Sequence, residues 1–143
     1  MANGMNCVLL GERHHALSDG VRGLLETAFS AVFMVADANS LMEGAARIQP
    51  TLVVVDLALA GGDLACLLES LREGAPAAKV LLLSVHDEPA VAAAAVAAGA
   101  DGLVLKRAMA TDLLPAVDAL LAGRRYFTPV AGDKPAAVFS RRT

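Results

Sequence analysis

Apolar residues come in five short runs rich in valine and leucine: Cys7 to Leu10, Ala31 to Ala36, Leu52 to Val55, Lys79 to Leu83 and Leu103 to Leu105. Runs of this length and side-chain type predict strands. Most are apolar at successive rather than alternate positions, which predicts burial on both faces, as in a parallel sheet covered by helices. The segments between them carry helical spacing. In the first, Leu17, Val21, Leu24, Leu25 and Ala28 form one face while Ser18, Asp19, Arg22 and Glu26 form the other. A second helix is predicted from Ser40, with Glu43 completing a capping box. The third starts at Asp63 as N-cap, runs through Leu67, Leu68 and Leu71, and stops at Gly74-Ala75-Pro76. Asp87 is the predicted cap of the fourth, with Pro89 in the first turn, where no backbone donor is needed, and Gly99 as its end. The fifth is predicted from Asp112 to Ala122, with Gly123 as its stop.

Strand and helix therefore alternate as βαβαβαβαβα, joined by short connections with right-handed crossovers expected. The expectation is one (βα)5 doubly wound α/β domain over residues 6–123. The remainder, 124–143, holds Pro129, Gly132 and Pro135 without a period and reads as a C-terminal tail or linker.

Composition narrows what such a domain does. Hydrophobic residues make up 56% of the 143 positions but aromatics only 3%, so the core is built from Val, Leu and Ala, and no aromatic platform exists for stacking bases. A net charge of −3 argues against direct nucleic-acid binding and against anionic membrane surfaces. The alanine-rich stretch Ala90 to Ala98 is too short to span a bilayer, and Met1 to Asn6 lacks the pattern of a secretory signal, so a cytoplasmic location is expected. Cys7 and Cys66 have no CxxC partner and are expected to be buried free thiols. No ligand set is evident around His14, His15 or His86, and they are not read as a metal site.

In open α/β sheets, ligands bind beyond the carboxyl ends of the strands. The residues predicted there are Glu12 after strand one, Asp56 after strand three, Ser84 after strand four and Lys106 after strand five. Two carboxylates, a hydroxyl and an ammonium at one edge suit phosphoryl transfer to a carboxylate, which needs a nucleophile, a divalent ion, a fixed cation and a hydrogen-bond donor. Asp56 is the candidate nucleophile, Lys106 the cation and Ser84 the donor. Glu12, Asp56 and the backbone carbonyl of Ala58 are candidate ligands for Mg2+. No glycine-rich phosphate loop follows strand one, since Gly11-Glu12-Arg13-His14 matches neither a dinucleotide nor a P-loop pattern.

These residues, in the stretches Val8-Leu9-Leu10-Gly11-Glu12, Pro50-Thr51-Leu52-Val53-Val54-Val55-Asp56-Leu57, Leu82-Leu83-Ser84-Val85-His86-Asp87 and Ala98-Gly99-Ala100-Asp101-Gly102-Leu103-Val104-Leu105-Lys106, resemble the response-regulator receiver family. The likeness covers about Asn6 to Phe127. The ending Arg125-Tyr126-Phe127-Thr128-Pro129 is similar to the exit from receivers that precede LuxR-type helix-turn-helix output domains. The resemblance implies a CheY-like, flavodoxin-like fold with a five-stranded parallel sheet of order 2-1-3-4-5. It also implies a signalling module of two-component systems rather than an enzyme, one that assists only its own phosphorylation and dephosphorylation. Asp56 would take a phosphoryl group from a histidine kinase or phosphotransfer protein. A homodimer or output partner would use the face of helix four, strand five and helix five, where the alanine-rich fourth helix leaves a smooth surface.

Four positions depart from the family pattern. Arg13 replaces the second of two adjacent acids, Ala60 stands where proline is common, Leu103 replaces an aromatic switch residue, and Arg107 follows Lys106 where proline is frequent. Arg13 is expected to weaken magnesium binding, leaving its own guanidinium or Lys106 to pair with Asp56. Any response at the switch position Leu103 is expected to be small or carried by the loop after Ser84. The alternative function is a degenerate pseudo-receiver, a protein-interaction module independent of phosphorylation.

Overall fold

The computed structural model describes residues 6–128 and 137–139. Its sheet contains β1 (Cys7–Gly11), β2 (Ala31–Val35), β3 (Leu52–Asp56), β4 (Lys79–Ser84), β5 (Gly102–Leu105), β6 (Arg125–Phe127) and β7 (Ala137–Phe139) in the order β2-β1-β3-β4-β5-β6-β7. The expected 2-1-3-4-5 parallel core is present, and β6 extends it in parallel while β7 turns back antiparallel. The helices are α1 (His15–Leu25), α2 (Ala38–Ile48), α3 (Leu64–Gly74), α4 (Pro89–Ala98) and α5 (Met109–Leu121). None of the helices among the described residues is long and apolar enough to cross a membrane.

Successive side chains of a strand point to opposite faces, so each continuously apolar run feeds two cores. Val8, Leu10, Leu52, Val54, Leu81, Leu83 and Val104 pack under α1 and α5 against Val21, Leu25, Leu113 and Leu120. Leu9, Val53, Val55, Val80, Leu82 and Leu103 pack on the other side against Leu41, Leu67, Leu68 and Leu71 of α2 and α3. Among the five core strands, the edge strand β2 departs from two-sided burial, with Phe33 and Met34 both exposed.

Several boundaries differ from the sequence expectation. Asp37, not Ser40, caps α2: its carboxylate accepts from the Ser40 N–H at 2.8 Å, and the helix starts at Ala38. The residue ahead of α4 is Glu88, which makes no side-chain cap, while Asp87, the expected cap, pairs with Arg107 at 2.9 Å. α5 begins at Met109, three residues before Asp112, since Met109 is itself buried in the core. Cys7 is buried as expected, whereas Cys66 lies on the outer side of α3 and is exposed.

Residues 125–127, read from sequence as tail, form β6 because Tyr126 and Phe127 are buried beside β5. Beyond them, Thr128 donates its backbone N–H to the Leu103 carbonyl at 2.8 Å and its hydroxyl to the same oxygen at 3.1 Å. The close approach of β6 depends on Gly102, where a Cβ would stand 2.7 Å from the Tyr126 carbonyl and 2.9 Å from Leu81. Gly102→Ala is therefore expected to cost about 1–3 kcal/mol through overpacking. A fall in the urea midpoint checks this, and an unchanged midpoint would mean that the strand pair yields freely.

Candidate functional site

The site forms where strands end. Asp56 is the last residue of β3 and Ser84 the last of β4, while Glu12 and Lys106 directly follow β1 and β5. Parallel pairing of β1, β3, β4 and β5 brings these four ends to one edge. Glu12 and Asp56 are both buried at 3% exposure, so their charges need compensation. Lys106 supplies it, with Nζ 2.7 Å from Asp56 Oδ2 and 3.2 Å from Glu12 Oε1. The second contact is an ion pair without hydrogen-bond geometry, so Glu12 Oε1 is a buried oxygen with no hydrogen-bond partner.

Asp56 Oδ1 accepts from the Ala58 N–H at 3.0 Å. Burial pushes the Asp56 carboxyl up, but the Lys106 hydrogen bond, the Ala58 N–H and the lysine charge outweigh it and hold the group below the ordinary carboxylate value. Asp56 is thus an anion, and it lines a pocket of about 250 Å³ together with Leu57, Ala58, Ser84, Val85 and His86. A carboxylate, a fixed ammonium and an adjoining cavity are three of the parts that acyl-phosphate chemistry uses.

Other predicted residues sit differently. The Ala58 carbonyl, expected to face a metal, accepts from the Gly61 N–H at 3.4 Å, because Leu57–Ala60 coils as a 3-10 turn that Gly61 ends at φ +61. The Ser84 hydroxyl is engaged within its own loop, donating to the His86 carbonyl at 3.0 Å and accepting from the His86 N–H at 2.9 Å. Arg13 is exposed, and the partner of Asp56 is Lys106. Leu103 is buried among aliphatic side chains on the α2–α3 face of the sheet.

One residue was missed by sequence reasoning. His14, not read as a ligand there, places Nδ1 3.0 Å from Glu12 Oε2, and its backbone N–H donates to the same oxygen at 3.2 Å. Ligand atoms of Glu12, His14 and Asp56 all lie within 4.8 Å of one another. The available signal was the two-residue spacing from Glu12 at a strand exit. That spacing brings the pair together only if the chain turns as it does here.

Residues 8–118 match the family described as the response regulator receiver domain. The chain belongs to this family. As a receiver it is similar to the transcriptional regulatory protein RcsB of Escherichia coli (strain K12), with 28% identity over 132 residues covering 89% of this chain and 60% of the relative. It is also similar to the transcriptional regulatory protein MctR of Rhizobium johnstonii, at 30% over 127 residues covering 85% of this chain and 58% of that protein. Among solved structures, a LuxR-family two-component response regulator from Aurantimonas sp. SI85-9A1 superposes with a TM-score of 0.75 and 31% identity, covering 85% of this chain and 89% of that one. The receiver thus spans about 60% of the length of the curated relatives it matches. It is a receiver of the two-component type, related to RcsB, in a family where phosphorylation on aspartate is typical.

Proposed function

We propose that Asp56 is the phosphoacceptor of this receiver, taking a phosphoryl group from a histidine kinase or phosphotransfer protein. The observation that carries this reading is the buried, ionised Asp56 held by Lys106 at 2.7 Å beside an open pocket. In the transfer an Asp56 oxygen forms the new O–P bond while the donor's P–N bond breaks, and its electron pair leaves on the donor imidazole. Lys106 shifts from the carboxylate toward the phosphoryl oxygens. Ser84 contributes its hydroxyl only after releasing the His86 backbone.

The two buried carboxylates of Glu12 and Asp56, now compensated by Lys106, fit a divalent cation. Mg2+, when bound by Glu12 and Asp56, would neutralise charge on the transferring group. Arg13 in place of an acid makes that binding weak. The module acts in the cytoplasm and changes no substrate other than its own aspartate. Its output or self-association contacts lie on α4, β5 and α5, where Val96 and Leu121 are exposed.

Incubation with acetyl phosphate and magnesium followed by intact-mass measurement tests the proposal. The expected result is slow gain of one phosphoryl group, absent from Asp56→Asn. Leu103 has no ring to swing, so NMR shifts should concentrate in the loop after Ser84 and not at residue 103. A second reading, a phosphorylation-independent interaction module, is favoured by Arg13 and by the closed Ser84–His86 contacts. It prevails if no phosphoryl group is gained while a partner still binds.

A further inference from the structure

Among the described residues the sheet ends on one side at β2, which pairs with β1 alone. Its sequence Ala31–Val35 holds no charge, proline or glycine, and its register with β1 runs without a bulge. Edge strands are ordinarily blunted by such devices, because a row of unpaired N–H and C=O groups is a template for another strand. Here the edge carries apolar side chains instead, with Phe33 43% and Met34 40% exposed. The Val35 carbonyl accepts from the Glu12 N–H at 3.0 Å, so Ala31, Phe33 and Val35 turn their backbone groups toward β1, and those of Val32 and Met34 turn outward. Val32 packs with the core under α1 and Val35 with the core under α2, so alternation sets Phe33 on the α2 side. A groove of about 240 Å³ on that side is lined by Val35, Glu43, Arg47 and Ile48 among others. Neither Glu43 nor Arg47 makes an ion pair among the described residues.

We propose that two copies of this chain join through β2, the strands pairing antiparallel about a two-fold axis at Phe33 so that the sheet continues from one copy into the other. Self-complementarity selects a second copy as the occupant. An axis at Phe33 sets Val32 opposite Met34 of the other copy, and these are the residues whose backbone groups point outward, so they exchange hydrogen bonds. Phe33 then meets its own equivalent in the closer, non-hydrogen-bonded pair. No like charges fall opposite one another along the uncharged strands. The same axis runs the two α2 helices antiparallel and turns Glu43 of each copy toward Arg47 of the other, giving each unpaired charge an opposite one. This contact leaves α4, β5 and α5 free for an output partner and does not depend on phosphorylation of Asp56.

Sedimentation velocity on the full chain over a concentration series tests this, under reducing conditions because Cys66 is exposed. The unmodified protein should show a monomer–dimer equilibrium, and the Val32 and Met34 amides should gain protection from hydrogen exchange in the dimer. Phe33→Lys and Phe33→Glu each set like charges opposite at the axis and should weaken the dimer about tenfold or more. Mixed in equal amounts, the two variants should recover it as a heterodimer, which requires residue 33 to lie against residue 33. That recovery also shows that neither variant is misfolded. A protein that stays monomeric throughout, Phe33 variants that dimerise like the unmodified chain, or a mixture that remains monomeric would overturn the proposal. So would a dimer abolished by Val96→Glu and untouched by Phe33→Lys, which would put self-association on α4.

Discussion

Replacing Lys106 by methionine is expected to lower stability by about 3–5 kcal/mol at neutral pH, the usual cost of removing one partner from a buried ion pair. For a chain of this size that corresponds to a fall in Tm of about 10 °C. The cause is electrostatic rather than steric. Glu12 and Asp56 would then be two buried carboxylates without their cation, and one must take up a proton to remain inside. The sign with pH follows from this. In the unmodified protein the Asp56 carboxyl is held below its ordinary value, so its contribution is full above the unfolded carboxylate range of about 4 and is lost as pH falls through the folded value. In the variant one carboxyl is raised, so the variant is weakest at neutral pH and recovers in acid. The gap between the two proteins should therefore be widest at neutral pH and narrow as pH falls through the carboxylate range of about 4 and below. Urea unfolding across that range measures it. The double variant with Asp56→Asn should regain part of the loss at neutral pH, because the remaining carboxylate no longer faces a second charge. A deficit that does not change with pH would mean that Lys106 contributes packing alone.

Arg13→Asp is expected to strengthen magnesium binding at least about tenfold. A unit charge about 5 Å from a divalent ion contributes about 1.7 kcal/mol even at the dielectric of water, and the substitution changes the charge by two units, so screening by salt still leaves a large gain. The exposure of Arg13 decides how that gain arises. The guanidinium does not occupy the site, so relief of repulsion is the smaller part and the new carboxylate the larger. Arg13→Ala should consequently recover only a minor share. Magnesium titration by calorimetry, with acyl-phosphate formation by intact mass, separates the two variants. Equal affinities for Arg13→Asp and the unmodified protein would mean that the residue-13 side chain points away from the ion.

The core of the fold was legible because two-sided burial writes itself as continuous Val and Leu runs, and because Asp63, Pro89 and Gly99 punctuate helices in the expected manner. The Asp37 and Ser40 ambiguity was not resolvable, since both are good caps three residues apart and only the path of the chain leaving β2 chooses between them. β6 escaped notice because three residues followed closely by Pro129 carry no period, and burial against Gly102 is a tertiary fact. At the site, strand ends located Glu12, Asp56 and Lys106, since a parallel sheet fixes where those ends meet. Hydrogen-bond direction was not legible: the Ser84 hydroxyl, the Ala58 carbonyl and the His14 ring each found partners within one or two turns of backbone whose course residue types alone do not fix.

Leu103 and Phe127 are register partners, and Thr128 holds the Leu103 carbonyl with two hydrogen bonds while its hydroxyl also accepts from the Leu105 N–H at 3.4 Å. The exit strand is thereby coupled to β5 like a trailer to a hitch. Thr128 is bonded to two residues of β5 at once, Leu103 and Leu105, so its position is set by the backbone of that strand. Residue 103 therefore has a polar tie through its backbone carbonyl even though its side chain is aliphatic.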